Sequence, residues 1–248
     1  MDRTDCLGSM PNPMRHGFSE AIERDGFAIA PRVFPAESIA AVLEQFKDVP
    51  RSESTRRRGQ SDFGIRNLLE VVPYVRQVAD SPSIRSLAES IAGVGARVVR
   101  AIFFDKTAEA NWKVAWHQDL TIAVSQRIEV PGFSSWSSKA NVAHVQPPTS
   151  ILEQLLTLRL HLDAADEQTG ALKVIPGSHK HGRLSADEIE QFKQTAKPVT
   201  CAVEEGDVLL MRPLLLHASS ASTAVHRRVI HLEFSSTALP GGLEWALQ

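Results

Sequence analysis

Two hydrophobic rhythms divide the chain. In AESIAAVLEQF, after Pro35, the apolar residues Ile39, Val42, Leu43 and Phe46 recur at helical spacing, and the preceding GFAIAPRVF suits a short strand. SPSIRSLAESIAG predicts a second amphipathic helix, opened by a Ser-Pro pair and ended by glycine. Between them RSESTRRRGQSDFGIRN has no apolar rhythm and predicts an exposed basic loop, either solvated surface or a lid near an anionic ligand. From residue 96 the pattern becomes strands: ARVVRAIFFDK, KVAWHQDLTIAV, LLTLRLHLD, GALKVIP, GDVLLMRPLLLHASS and RRVIHLEFS, separated by Gly, Pro, Asp and Ser. Such a series predicts an antiparallel sandwich or barrel. One helix interrupts it, SADEIEQFKQTA, with a capping serine and Glu188 three positions on. The connection at 125–150, rich in Ser, Pro and Gly, is too long for a hairpin turn and predicts a binding loop or lid.

Composition narrows the classes. The 248 residues suit one domain, 1–248: a loose N-terminus over 1–14, a helical and mixed part over 15–95, and a β core over 96–248. A net charge of −2 offers no basic face, which argues against nucleic acid as a partner. With only Cys6 and Cys201 the chain builds neither a disulfide framework nor a cysteine zinc site, so a reducing cytoplasm is expected. No apolar run approaches the ~18 residues of a membrane span, and no membrane association is expected. No feature speaks to oligomeric state.

The chemistry begins at WHQD, residues 116–119. On a strand, positions i and i+2 share a face, so His117 and Asp119 offer an imidazole and a carboxylate to one ion. His161 and Asp163 repeat the spacing. Two histidines and one carboxylate on one face of an octahedron characterise non-haem Fe(II) oxygenases. His217 ends an apolar strand, and ten residues on Arg227 and Arg228 open the next; a guanidinium there can clamp a carboxylate bidentately. Alternation groups Arg227 with Val229, His231 and Glu233, and Arg228 with Ile230, Leu232 and Phe234. Greasiness alone sends Arg228 inward, unless the outer face is itself covered by helices.

WHQD, GALKVIPGSHKHG at 170–182 and LLLHASS followed by HRRVIHLEF at 214–234 together resemble the phytanoyl-CoA dioxygenase family of Fe(II)- and 2-oxoglutarate-dependent oxygenases, over about residues 17 to 245. The resemblance implies a mainly β protein with flanking helices: a double-stranded β-helix, or cupin-like jelly roll, with the N-terminal helices packed on one sheet. It implies His117, Asp119 and His217 as the catalytic iron ligands. Hydroxylation of a small molecule would use O2 and release succinate and CO2. Relatives that halogenate have a small residue in place of Asp119. Asp163 falls in the turn after a strand, so HLD is not the metal pair. Matching Phe234 to the family places Arg227 on 2-oxoglutarate, whereas counting from His217 favours Arg228 by one position; Arg227 is preferred and Arg228 kept. Ser219 joins the co-substrate residues, as does Lys106, whose alternative is a strand-end surface lysine. Arg159 stands where the family often has an aromatic beside the co-substrate, and it and His161 either line the pocket or face solvent. As a pocket residue Arg159 would serve the co-substrate or pair with an acidic substrate. Trp116 is expected beside the metal, and Trp112, Phe133 and Trp136 around the substrate. His16, His144, His179, His181, His226 and His231 are expected to be structural or surface. A catalytically silent cupin-like binding protein and a zinc hydrolase are the alternatives.

Overall fold

A computed structural model describes residues 12–50, 52–58, 61–107, 111–223 and 226–247, with backbone alone at 12–16, 56–58 and 61–63. The N-terminal part runs α1 (Asn12–Asp25), β1 (Phe27–Ala30), α2 (Ala36–Glu44), β2 (Thr55–Arg58), β3 (Ser61–Ile65), α3 (Leu68–Val71), α4 (Tyr74–Ala79) and α5 (Pro82–Ala92). There follow β4 (Arg97–Thr107), β5 (Val114–His117), β6 (Ile122–Val124), β7 (Ser134–Lys139), β8 (Val142–Gln146), α6 (Thr149–Leu152), β9 (Leu156–His161) and β10 (Leu172–Val174). A 3-10 turn at Ser178–His181 leads to α7 (Ala186–Thr195), β11 (Val199–Thr200), β12 (Val208–Met211), β13 (His217–Ser219) and β14 (His226–Ser235). None of these helices is long and apolar enough to cross a membrane.

A seven-stranded sheet, β1-β12-β9-β14-β4-β3-β2, faces a four-stranded one, β11-β10-β13-β5, and both are antiparallel. This is the jelly-roll core. The helices cover the outer face of the larger sheet: Ile22, Ile39, Leu68, Val75, Ile84 and Leu87 form one buried cluster with Leu156, Leu158, Leu160, Ile230, Leu232 and Phe234. Each such side chain contributes about 2 kcal/mol of burial energy, so the apolar rows of β9 and β14 belong to the helix layer. Their polar rows therefore face the other sheet, and Thr157, Arg159, His161, Arg227, His231 and Glu233 are all buried there. The inner face of β12 supplies Leu209 and Met211 to an apolar cluster with Leu172, Val174 and Leu215.

Three sequence expectations change. The basic stretch is no plain loop: β2 and β3 form a hairpin that pairs with β4. The 125–150 connection contains β7, β8 and α6, and β8 pairs with β6 to make a third sheet. β7, SSWSSK, has no buried row, which is why apolar alternation does not reveal it. Of the segment expected to be loose, residues 1–11 lie outside the described chain and 12–14 already belong to α1.

Candidate active site

The two histidines of the site meet across a strand pair. β5 ends at His117, and the β5–β13 register sets it opposite His217, with ring centroids 4.2 Å apart and planes tilted by 51°. Asp119 lies two residues beyond the strand end, tied by its N–H to the Pro213 carbonyl at 2.9 Å. Its carboxylate oxygens stand 3.8 Å from His117 Nε2 and 3.7 Å from His217 Nε2. These separations are too long for hydrogen bonds and suit three donors around one first-row ion with bonds near 2.1 Å. All three donor atoms lie within 4.8 Å of one another.

Both imidazoles are locked by the same device. His117 Nδ1 donates to Ala115 O and His217 Nδ1 to Leu215 O, each at 2.8 Å. A carbonyl only accepts, so the proton is fixed on Nδ1 and the Nε2 lone pair points at the gap, as a metal ligand requires. Burial pushes His217 down to about 4, helped by the charges of His117 and Arg159 against the pull of Asp119, so the ring is neutral. Burial works to raise Asp119, but the basic groups around it, His217 first and with Arg100 among them, outweigh it and hold the carboxyl down at about 2.

Gln118 is the residue that sequence reasoning missed between the two ligands. Its side chain turns away and donates to Gly182 O at 2.8 Å and Leu214 O at 2.7 Å, while accepting from Leu184 N at 2.8 Å. It bolts the strand end in place, so that His117 and Asp119 converge although the strand has already ended. The Pro-Gly-Ser-His turn does the same for His217. Ser178 Oγ accepts from Leu216 N at 2.8 Å, one residue before His217, and donates to Ile175 O at 2.7 Å.

Opposite the triad the larger sheet presents cations. A cavity of about 180 Å³ between the sheets is lined by the triad together with Lys106, Arg159, Arg227, Ser219 and His231. Phe104, Trp112, Val114 and Leu172 complete its wall. Lys106 is fully buried rather than a surface residue, and donates to Ser219 Oγ at 2.8 Å and Ser220 O at 2.7 Å. Burial, then Arg227 and Arg159, pushes it down to about 7. Arg227 is its register partner on β14, 2% exposed, with Nε and Nη1 lacking any partner among the described residues. Burial first, then Arg159, brings it down to about 9. Two buried cations side by side repel, and unpaired guanidinium nitrogens cost free energy, so this end of the cavity is built for an anion.

Arg228 points the other way. It forms a bidentate pair with Asp163, Nε–Oδ2 2.9 Å and Nη2–Oδ1 2.6 Å, and its own N–H donates to the same carboxylate at 2.7 Å. Asp163 of the second His-x-Asp thus serves Arg228, and its partner His161 is buried elsewhere, both ring nitrogens unpaired. Arg159 lines the cavity, its Nη1 3.1 Å from His231 Nδ1. His231 Nε2 lies 3.1 Å from Glu233 Oε1, which also accepts from Arg100 at 3.0 Å. His231 is therefore a cavity residue, not merely structural, and shared parity with Arg227 on β14 is the signal that could have found it.

The aromatic expectations divide. Trp112 lines the cavity, its ring centroid 5.4 Å from Lys106 Nζ. Trp116 instead packs behind the ligand strands against Ile175, Leu184 and Leu216, because parity turns it away from His117. Phe133 is buried with Leu152 and Trp245, and Trp136 packs against the same cluster with Arg127 over its ring, so neither walls the cavity.

A family model described as phytanoyl-CoA dioxygenase (PhyH) matches residues 22–229. The chain belongs to the phytanoyl-CoA dioxygenase family. Among curated relatives, ectoine dioxygenase from Bordetella parapertussis is 22% identical over 217 residues, covering 79% of this chain and 64% of that one. This family member thus spans less than two-thirds of that relative's length. Crystal structures share the fold: AviO1 from Streptomyces viridochromogenes Tue57, with 24% identity and TM-score 0.65, covers 92% of this chain and 97% of its own. EctD from S. alaskensis, crystallised with 2-oxoglutarate and 5-hydroxyectoine, has 17% identity and TM-score 0.71, covering 95% of this chain and 81% of its own.

Proposed function

We propose that the protein is a non-haem Fe(II)- and 2-oxoglutarate-dependent dioxygenase that hydroxylates a small molecule. One observation carries the reading: two imidazoles and a carboxylate converge on an ion-sized gap, and the same cavity holds a buried guanidinium whose Nε and Nη1 are unpaired among the described residues. The donor chemistry fits iron, since two imidazoles locked with Nε2 free and one carboxylate leave the remaining coordination positions open. His117, Asp119 and His217 would hold the metal. When bound, Fe(II) supplies oxygen chemistry in which 2-oxoglutarate is converted to succinate and CO2 as the substrate is oxidised.

The chain's own residues do the rest. Arg227 and Lys106 receive the far carboxylate of the co-substrate, with Ser219 holding Lys106 in line. Asp119, kept ionised by its neighbours, would offset part of the charge of a bound metal. Phe104, Trp112, Val114 and Leu172 exclude water from the walls. The likeness to ectoine dioxygenase and to EctD crystallised with 5-hydroxyectoine supports a small-molecule substrate here.

Anaerobic iron loading followed by oxygen and 2-oxoglutarate should give succinate, and Asp119→Ala should abolish it while weakening iron binding. Succinate formation at the wild-type rate in that variant would refute the ligand assignment. Iron-free hydrolysis, or no turnover across a broad substrate panel, would favour the zinc-hydrolase or silent-binding readings.

A further inference from the structure

Arg159 is not accounted for by a cavity with one acid-binding end. It is 7% exposed, faces the cavity and has an unpartnered Nε. Its Nη1 is held by His231 Nδ1, which must accept, so the proton of that ring sits on Nε2 and is donated to Glu233. Glu233 is fixed in turn by Arg100. This chain of contacts orients the guanidinium without neutralising it, because the carboxylate is two groups away and already paired.

Its placement is distinctive. The charge of Arg159 is felt by His217 of the triad as well as by Lys106, Arg227 and His161. By register Arg159 on β9 sits across from His231, two inward-facing positions along β14 from Arg227, which itself pairs with Lys106 on β4, and these side chains line the cavity that also holds the donor triad. Three basic side chains line one cavity in which, among the described residues, Asp119 is the sole lining carboxylate. At about 180 Å³ that cavity has room for one small molecule, so the anion that offsets Arg159 is the same molecule that reaches Arg227.

The geometry points to Arg159 as a second carboxylate receptor, taking the acid group of the co-substrate at the triad end while Arg227 and Lys106 take the other, so that the cavity recognises a dicarboxylate before any metal is present. This rests on the 2-oxoglutarate reading above and adds a residue and an order of events to it. Guanidinium suits the task because its fork binds a carboxylate bidentately and stays charged when buried.

The test uses the full chain stripped of metal by a chelator and titrated calorimetrically with glutarate and with pentanoate, equal in carbon count but with two acid groups against one. Wild type should bind glutarate at least about tenfold more tightly than pentanoate. In Arg159→Met that preference should fall to within about twofold of unity, and Arg159→Lys should restore part of it. Arg228→Met, which removes a cation of similar charge from the outer pair, should leave it intact. The preference is a ratio within each variant, so a partly unfolded sample does not shift it. An unchanged preference in Arg159→Met, or an equal loss in Arg228→Met, would overturn the proposal. So would 2-oxoglutarate affinity and uncoupled succinate formation that survive Arg159→Met, because the guanidinium would then serve an anionic group of another molecule. Succinate formation by the wild-type iron enzyme is scored separately: a lost preference without succinate retains the receptor and rejects the oxygenase, and the reverse rejects Arg159 alone.

Discussion

Arg227 and Arg228 are adjacent in sequence and opposite in consequence. Arg227→Met should raise the KM for 2-oxoglutarate by roughly 30-fold or more, the cost of truncating one partner of a desolvated charge pair, with the melting temperature held or raised because a buried unpaired cation is removed. Arg228→Met should do the reverse, leaving KM unchanged while costing about 1–2 kcal/mol in urea unfolding through loss of the largely buried Asp163 pair. A shared effect on KM would place both in the cavity. The choice between them was only partly legible in the sequence. Parity sorts them onto different faces, but which face is interior depends on the helices that cover Ile230, Leu232 and Phe234. Lys106 gives a second residue-scale prediction. With its ammonium at about 7, it is largely neutral at pH 8 in the free protein. A bound carboxylate raises that value, so 2-oxoglutarate binding at pH 8 should take up close to one proton, and binding at pH 6 almost none. Calorimetry in buffers of different ionisation enthalpy reads this directly, and zero uptake at pH 8 would show that the acid does not reach Lys106.

Among the elements, β5 carries the most chemistry on the least regular structure. Four residues long, it ends at His117, and Asp119 reaches the site only because Gln118 is pinned on the opposite side. Gln118→Leu leaves two buried carbonyls and an N–H unpaired, which should cost about 3 kcal/mol in all, and should weaken iron binding about tenfold as the ligands lose their alignment. Iron affinity measured by competition with a chelator checks the second effect, and wild-type affinity in a destabilised protein would confine Gln118 to the fold. The His-x-Asp spacing was legible because both proposed ligands, His117 and Asp119, come from one short stretch. The middle residue was not, since its partners at Gly182, Leu184 and Leu214 are distant in sequence. The same holds for β9 and β14, where the Arg159–His231 contact follows from their register. Local alternation marks both as polar-row residues but cannot pair them.

Across the whole molecule, the buried basic groups set the response to acid. His161 is held well below its ordinary value, by burial first and then by Arg159 and Arg227. His144, 3% exposed, is pushed down to about 4 chiefly by burial, with Arg100 and Lys139 adding to the effect against the Val142 carbonyl bond. Both rings are neutral in the folded chain, while the unfolded chain protonates them near pH 6.5. Their contribution to stability is full above that value and is lost as pH falls toward the folded values, up to about 3 kcal/mol for His144 by pH 4. Urea midpoints of wild type should therefore fall more between pH 7.5 and 5 than those of His161→Leu; parallel curves would mean that His161 titrates normally.

The turn at 175–181 ties these scales together. Gly177 N–H donates to Asp25 O at the end of α1, and the neighbouring Gly26, at φ 85°, has no room for a side chain because a Cβ would come within 2.5 Å of His179 Nδ1. Ser178 in the same turn holds the residue before His217. The first helix and His217, the last of the proposed metal ligands, are therefore joined through a single turn. A tag or truncation that frays α1 would be felt first as lost metal, well before the sheets themselves give way.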